Sequence, residues 1–265
     1  MKLLVVEGNP REIWQQREAV GGVPYHKRFQ SMLKLLCHEA IVEFAFPADD
    51  NILFNDDELK TFDGFLLTGS SLFVNDGTKE VQNQLEFAER LFESGVPIYG
   101  SCWGLQVATV VAGGKVGTSL KGREIGITKP ILLTEAGKSN PYFKHRKDNF
   151  QTLCVHLDEV VEPPKNSTIL AANDHSLIQA LTFKYKNSNF FGVQYHPEFE
   201  VSDMVFILRY MKDTLMAEGL FENNILLEKL SSSTTKNGIL PSDISDYSQH
   251  IQEVKCWLNN LEIRD

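Results

Sequence analysis

The sequence contains no run approaching the roughly 18 consecutive apolar residues that a membrane-spanning helix requires, which argues against an integral membrane protein. It has no Cys-x-x-Cys pair. Its four cysteines, Cys37, Cys102, Cys154 and Cys256, lie far apart, which excludes a simple zinc ribbon or dithiol centre and fits reduced thiols in a cytoplasmic protein. Basic charge is also short: 26 Lys and Arg against 35 Asp and Glu leave a net charge of −9, with no basic stripe for nucleic acid or an anionic membrane. Internal repeats and strongly low-complexity tracts are missing as well. The opening apolar run is cut short by Glu7 and then Gly8-Asn9-Pro10, well before a signal-peptide core could form, so it reads as a first strand of a cytoplasmic chain. What remains is a 265-residue chain, 42% hydrophobic and 23% charged, able to bury a substantial core.

Hydrophobic periodicity places the elements. Lys2 to Glu7 is a buried strand; residues 9 to 24, with Pro10, Gly21, Gly22 and Pro24, form a long connection holding at most a short helix over Glu12 to Glu18. A connection of that length is often functional. Phe29, Met32, Leu33, Leu35, Leu36 and Ala40 give Tyr25 to Ala40 a helical face, and Val81, Leu85, Ala88, Leu91 and Phe92 do the same for Asp76 to Ser94. Strands are expected at Ile41 to Phe46, at Asp63 to Ser70 and at Val96 to Gly100. Strands alternating with helices imply a doubly wound, mostly parallel α/β sheet whose functional loops gather at the carboxyl ends of the strands. Beyond Gly113-Gly114 short β-rich pieces predict a small antiparallel extension, and Ser202 to Met216 a final helix covering the sheet. Residues 1–216 are expected to form one domain and 217–265 a helical appendage packed on it. Within the appendage, 219–230 is weakly helical, 231–235 is a polar linker and 243–261 is an amphipathic helix.

The chemistry centres on Gly100-Ser101-Cys102-Trp103-Gly104, set between an apolar strand and the helix-patterned stretch from Leu105 to Ala112. Gly-x-Cys-x-Gly is the thiol version of the nucleophile elbow, which presents one side chain at a strand tip and at a helix N-terminus, where the dipole favours an anion. Cys102 is expected to stand exposed there. A base is available in Gln194-Tyr195-His196-Pro197-Glu198: His196 could take the thiol proton and Glu198 could orient the imidazole. His-x-Glu could equally be half of a metal site, or the histidine could be structural.

Three blocks, Gly100 to Gln106, Gly192 to Glu198 and the turn Leu67-Thr68-Gly69-Ser70, resemble the signature blocks of the class I, triad-type glutamine amidotransferases, in the family's order. Val155 to Val160, followed by Pro163 and Asn173-Asp174-His175, is similar to a stretch of the glutaminase domain of GMP synthase. The resemblance implies a flavodoxin-like fold, with Cys102, His196 and Glu198 as the catalytic triad. It also implies an oxyanion hole from the backbone N–H groups of Gly69 and Trp103, and substrate contacts from Gln106, His156, Leu157 and Asp158. No metal or organic cofactor is implied. Leu157 stands where the GMP synthase glutaminase has glycine, and no synthase domain follows.

Three functions are compatible with these residues. The first is a stand-alone glutaminase that hydrolyses glutamine through a γ-glutamyl thioester on Cys102 and passes ammonia to an unknown acceptor or a separate synthase protein. The second is a γ-glutamyl hydrolase or peptidase, like the plant γ-glutamyl peptidases that this kind of chain resembles; leaving-group room would be set by the 9–24 connection and Trp103. The third, of another class, is a non-catalytic cysteine redox sensor on the same fold.

Overall fold

The computed structural model describes residues 1–49, 54–220 and 240–261. The expected weak helix and polar linker, so far as they fall within 221–239, lie outside the described residues. Five strands form the parallel half of the main sheet: β1 (Lys2–Val6), β2 (Ile41–Ala45), β3 (Gly64–Leu67), β4 (Ile98–Ser101) and a late strand, β13 (Ser188–Val193). Among the described residues the sheet has nine strands in the order β2-β1-β3-β4-β13-β12-β11-β7-β8. Pairing is parallel as far as β13 and antiparallel through β12 (Ala180–Tyr185), β11 (Thr168–Ala172), β7 (Ile131–Leu133) and β8 (Asn149–Phe150). Two small ribbons stand apart. One pairs β5 (Lys115–Thr118) with β10 (Asp158–Glu162), the other β6 (Glu124–Ile127) with β9 (Leu153–His156).

Both faces of the sheet are covered, which is why β1 and β3 are apolar without alternation. On one face lie α4 (Lys79–Glu93) and α5 (Trp103–Val111), with Phe87, Leu91, Leu105 and Ala108 buried against Leu4, Phe65 and Ile98. On the other lies α2 (Tyr25–Leu36), which buries Phe29, Met32 and Leu33 at helical spacing. It shares that face with α11 (Gln252–Leu261), whose Trp257 and Leu258 reach the same cluster. Helix α11 is the amphipathic segment of the appendage, and a buried ion pair fastens it: Arg146 Nη2 lies 2.9 Å from Glu253 Oε2, both side chains almost fully enclosed. Removing one partner of such a pair leaves an uncompensated buried charge, a loss of about 3–5 kcal/mol.

The segment expected to cover the sheet behaves differently. It forms α7 (Val201–Tyr210) and α8 (Lys212–Ala217), and its Met204, Ile207, Leu208 and Leu215 join Tyr25, Leu153 and Phe199 in a separate cluster beside the sheet edge. The start of α7 explains the placement. Glu200 and Asp203 form a capping box, and Arg28 of α2 grips both carboxylates at 2.9 and 2.7 Å. Within the 9–24 connection the short helix expected over Glu12 to Glu18 is present as α1 (Arg11–Ala19), one residue longer at each end.

Candidate active site

Cys102 sits between β4 and α5 with φ 49° and ψ −103°, a left-handed backbone position that an L-residue adopts only under constraint. The constraint is visible. Its N–H donates to the Val193 carbonyl at 2.8 Å, and its own carbonyl accepts from the Gln106 N–H at 3.1 Å. Gly104 makes the turn possible, since a Cβ there would lie 2.4 Å from the Leu67 carbonyl oxygen of β3. Cys102 Sγ lies 3.6 Å from the Val155 carbonyl oxygen. Cys102 is only 5% exposed, not open at a strand tip as expected, and it lines a cavity shared with residues of α1 and α7–α8.

His196 follows β13, and its ring is held on every side. Nδ1 lies 2.6 Å from Glu198 Oε1, and Ser101 Oγ, the neighbour of Cys102, donates to the same oxygen at 3.2 Å. Phe199 stacks on the ring in parallel at 4.0 Å, and Tyr25 lies against it at 5.9 Å. Gly69 closes the remaining side: a Cβ there would come within 2.7 Å of His196 Cε1. Nε2 is buried, meets no strict hydrogen-bond partner within the protein and faces Cys102. Burial pulls the imidazole pKa down, but charge and hydrogen bonding from Glu198 and Cys102 outweigh it and hold His196 well above its ordinary value.

The turn bearing Gly69 is fixed through a polar chain that begins just after β1. Glu7 accepts from His26 and from the Asn9 N–H, and Asn9 Oδ1 in turn accepts from the Ser71 N–H at 2.9 Å. Thr68 Oγ1 accepts from the Gly8 N–H and donates to the Gly69 carbonyl. Among the described residues, the N–H groups of Gly69 and Trp103 have no acceptor. Trp103 does not shape the pocket with its side chain. The indole is buried in the core on the α4 side and donates from Nε1 to Gln84 Oε1 at 2.8 Å.

A cavity of about 370 Å³ opens over Cys102. The four expected substrate contacts, Gln106, His156, Leu157 and Asp158, are brought together along one wall. Their polar groups largely serve one another: Gln106 Nε2 donates to the Asp158 carbonyl at 2.9 Å, and Thr118 Oγ1 donates to the Asp158 carboxylate. His156 is pinned between the Asp158 carbonyl and Glu124 Oε2. Leu157 is half-buried, with its carbonyl accepting from the Ser119 N–H. The rest of the lining includes Ile13 and Arg17 of α1, which lies in the 9–24 connection expected to set leaving-group room, together with Tyr25 of α2 and Ile207, Tyr210 and Thr214 of α7–α8, which sequence reasoning did not assign. The length of the 9–24 connection was the one advance signal for this lining.

Ligand atoms of Glu124, Cys154 and His156 lie within 4.8 Å of one another, close enough to suggest a metal centre. The carboxylate is already saturated, however. It accepts from Asn173 Nδ2, Gln179 Nε2 and the Lys129 N–H in addition to facing His156. Burial raises the Glu124 pKa, but the hydrogen bond and charge of His156 outweigh it and lower the group. The cluster is a structural fastener behind the Leu157 wall.

Residues 26–209 match the model of the class-I glutamine amidotransferase family. The chain is similar to a γ-glutamyl-L-1-hydroxyisopropylamide hydrolase from a Pseudomonas species, 34% identical over 99% of this chain and 94% of the relative. It is also similar to γ-glutamyl peptidase 5 of Arabidopsis thaliana, 28% identical over 60% of this chain and 64% of the relative. Among solved structures, a glutamine amidotransferase from Thermotoga maritima shares the fold with a TM-score of 0.71 at 15% identity, covering 98% of this chain and 97% of that one. Among the described residues no helix is long and apolar enough to cross a membrane.

Proposed function

The chain belongs to the class-I glutamine amidotransferase family, and from that premise we propose that it is a γ-glutamyl amide hydrolase rather than a glutaminase that feeds ammonia to a synthase. One observation carries the choice. The family model spans 26–209, whereas the similarity to the Pseudomonas hydrolase extends over 99% of the chain and so takes in α1 and the Tyr210–Thr214 segment. Those are the elements that wall the cavity opposite Gln106 and Leu157. A glutaminase needs only to release ammonia past that wall, whereas a hydrolase of substituted amides must house an amine there.

In this reading the Cys102 thiolate attacks the γ-carbonyl carbon, and the oxyanion is held by the N–H groups of Gly69 and Trp103, both free of other acceptors among the described residues. His196, whose protonated form Glu198 and Cys102 favour, gives its proton to the amide nitrogen as the C–N bond breaks and the amine departs. The neutral imidazole then takes a proton from water, whose oxygen attacks the thioester. The C–S bond breaks with its electron pair returning to sulfur, and His196 keeps the proton taken from water. The γ-carboxylic acid leaves and gives its own proton to solvent, with the thiolate restored. Glu198 holds the Nδ1–H so that Nε2 faces the reacting atoms. Gln106 and the backbone around Leu157 would receive the glutamyl part.

The test is turnover of purified protein with glutamine and with a panel of γ-glutamyl amides, following glutamate together with ammonia or the amine. The expected result is a kcat/KM at least tenfold higher for substituted amides than for glutamine, abolished in Cys102→Ala. Preference for glutamine, or glutamine turnover that requires an added second protein, would overturn the hydrolase reading in favour of an amidotransferase.

A further inference from the structure

The arginines that hold the fold together face carboxylates: Arg28 faces Asp203 and Glu200, Arg90 faces Asp56, Arg123 faces Glu218 and Arg146 faces Glu253. Arg17 does not. It is 9% exposed, lines the cavity over Cys102, and forms no ion pair among the described residues. Its guanidinium carbon lies 4.8 Å from the ring centroid of Tyr25 and 5.9 Å from that of Tyr210, so two aromatic rings flank it. Glu7, whose charge reaches it, is already committed to His26 and Asn9. A buried cation without a counter-ion is costly unless something in the working state supplies the missing charge.

The position of Arg17 says which part of a substrate that charge belongs to. Tyr25, on which Arg17 stacks, also lies against His196 and flanks Gly69. Arg17 therefore extends the His196 side of the cavity, the side on which the leaving nitrogen must collect its proton. Gln106 and Leu157, the expected seat of the glutamyl part, belong to the other wall. A planar guanidinium matches a carboxylate with two parallel N–H···O bonds.

We infer that Arg17, flanked by Tyr25 and Tyr210, is a specificity residue that binds a carboxylate on the leaving amine, so that the favoured substrates are γ-glutamyl amino acids or peptides. This rests on the hydrolase reading above and narrows it to a substrate class. Arg17 takes no part in bond making. Its loss should appear in KM, not in kcat.

The experiment compares γ-glutamyl-glycine with γ-glutamyl-glycinamide and γ-glutamyl-ethylamide on the unaltered protein and on Arg17→Met. The unaltered protein should favour the acid by about 10–100-fold in kcat/KM, the range expected for charge-assisted hydrogen bonds. Arg17→Met should raise KM for the acid by a similar factor, leaving the two uncharged amides within about twofold. Equal turnover of the three substrates by the unaltered protein would overturn the inference whether or not the variant folds. So would an equal loss on all three in Arg17→Met, which would move Arg17 to the α-carboxylate of the glutamyl part. Both results leave the hydrolase reading standing, whereas an absence of turnover on every amide would remove that reading and this inference with it.

Discussion

His250 offers a sharp physical test of how the carboxyl-terminal segment is joined to the site. It lies in α10 (Tyr247–His250), one element before α11, and is 1% exposed. Its Nε2 lies 3.1 Å from the His196 carbonyl oxygen, and its Nδ1 lies between Thr152 Oγ1 at 3.4 Å and the Asp243 carbonyl oxygen at 3.3 Å. In the neutral ring Nε2–H donates to the His196 carbonyl and Nδ1 accepts from the Thr152 hydroxyl, whereas the Asp243 carbonyl favours the protonated form. Burial, and then the Arg146 cation, push its pKa down from 6.5 to about 3. In the unfolded chain the ring takes up a proton near pH 6.5, whereas in the folded protein it stays neutral until about pH 3. Its contribution is therefore complete above pH 6.5 and is lost as the pH falls. Between pH 7 and pH 4.5 that loss amounts to about 2–3 kcal/mol. His250→Gln keeps a donor for the His196 carbonyl but cannot titrate. Urea unfolding of both proteins across this range should show the stability advantage of the native protein over the variant shrinking by that amount. Taking the difference removes other titrating groups, among them Asp203. Burial raises Asp203 to about 6 in spite of Arg28, so it favours the folded state at the acid end of the range. A difference that stays level within about half a kcal/mol would refute the buried neutral histidine.

Glu198→Gln should lower kcat on a γ-glutamyl amide by about 10³–10⁴ while leaving the unfolding midpoint close to native, because the amide no longer fixes the Nδ1–H tautomer of His196. A loss under tenfold would remove the orienting role. Cys102→Gly should abolish turnover yet raise stability in urea by about 1–2 kcal/mol, since relief of a left-handed backbone worth about 1–3 kcal/mol exceeds the entropic cost of glycine. Equal or lower stability would show that the elbow carries no strain.

The elbow and the His196-Pro197-Glu198 segment were legible in the sequence because their chemistry is local. Gly104 must lack a Cβ against Leu67, and Glu198 reaches the ring of His196 two residues away. What surrounds them was not. Periodicity in 202–216 announces an apolar face but not its partner, and the Arg28 grip on the α7 cap turns that face towards Tyr25 and Phe199 instead of the sheet. That placement, together with α1, puts walls around the cavity into which the enclosed Cys102 faces. Trp103 adjoins Cys102 in sequence, yet a step of one residue at the start of a helix turns the side chain by about 100°, into the α4 core. Arg17 left no mark at all, because a missing counter-ion is a property of the folded surroundings.

The carboxyl-terminal segment is best understood as part of the site. The His196 loop is tied at three points: its own N–H donates to the Leu153 carbonyl, His250 donates to the His196 carbonyl, and Tyr247 Oη donates to the Glu198 carbonyl at 3.1 Å. Two of these three ties come from beyond residue 209, where the family model ends. A proton-transfer geometry tolerates displacements of only about 0.5 Å, so the elements that hold the loop matter as much as the side chains upon it. The outer cavity wall likewise draws on α1 and on residues after Tyr210. On the proposed reading the family's core supplies the thiol, imidazole and carboxylate, and the ends of the chain supply both the brace that keeps them aligned and the surface that selects what departs. Variation among relatives in leaving group should therefore track α1 and the α7–α8 segment, with the elbow and the His-Pro-Glu block unchanged.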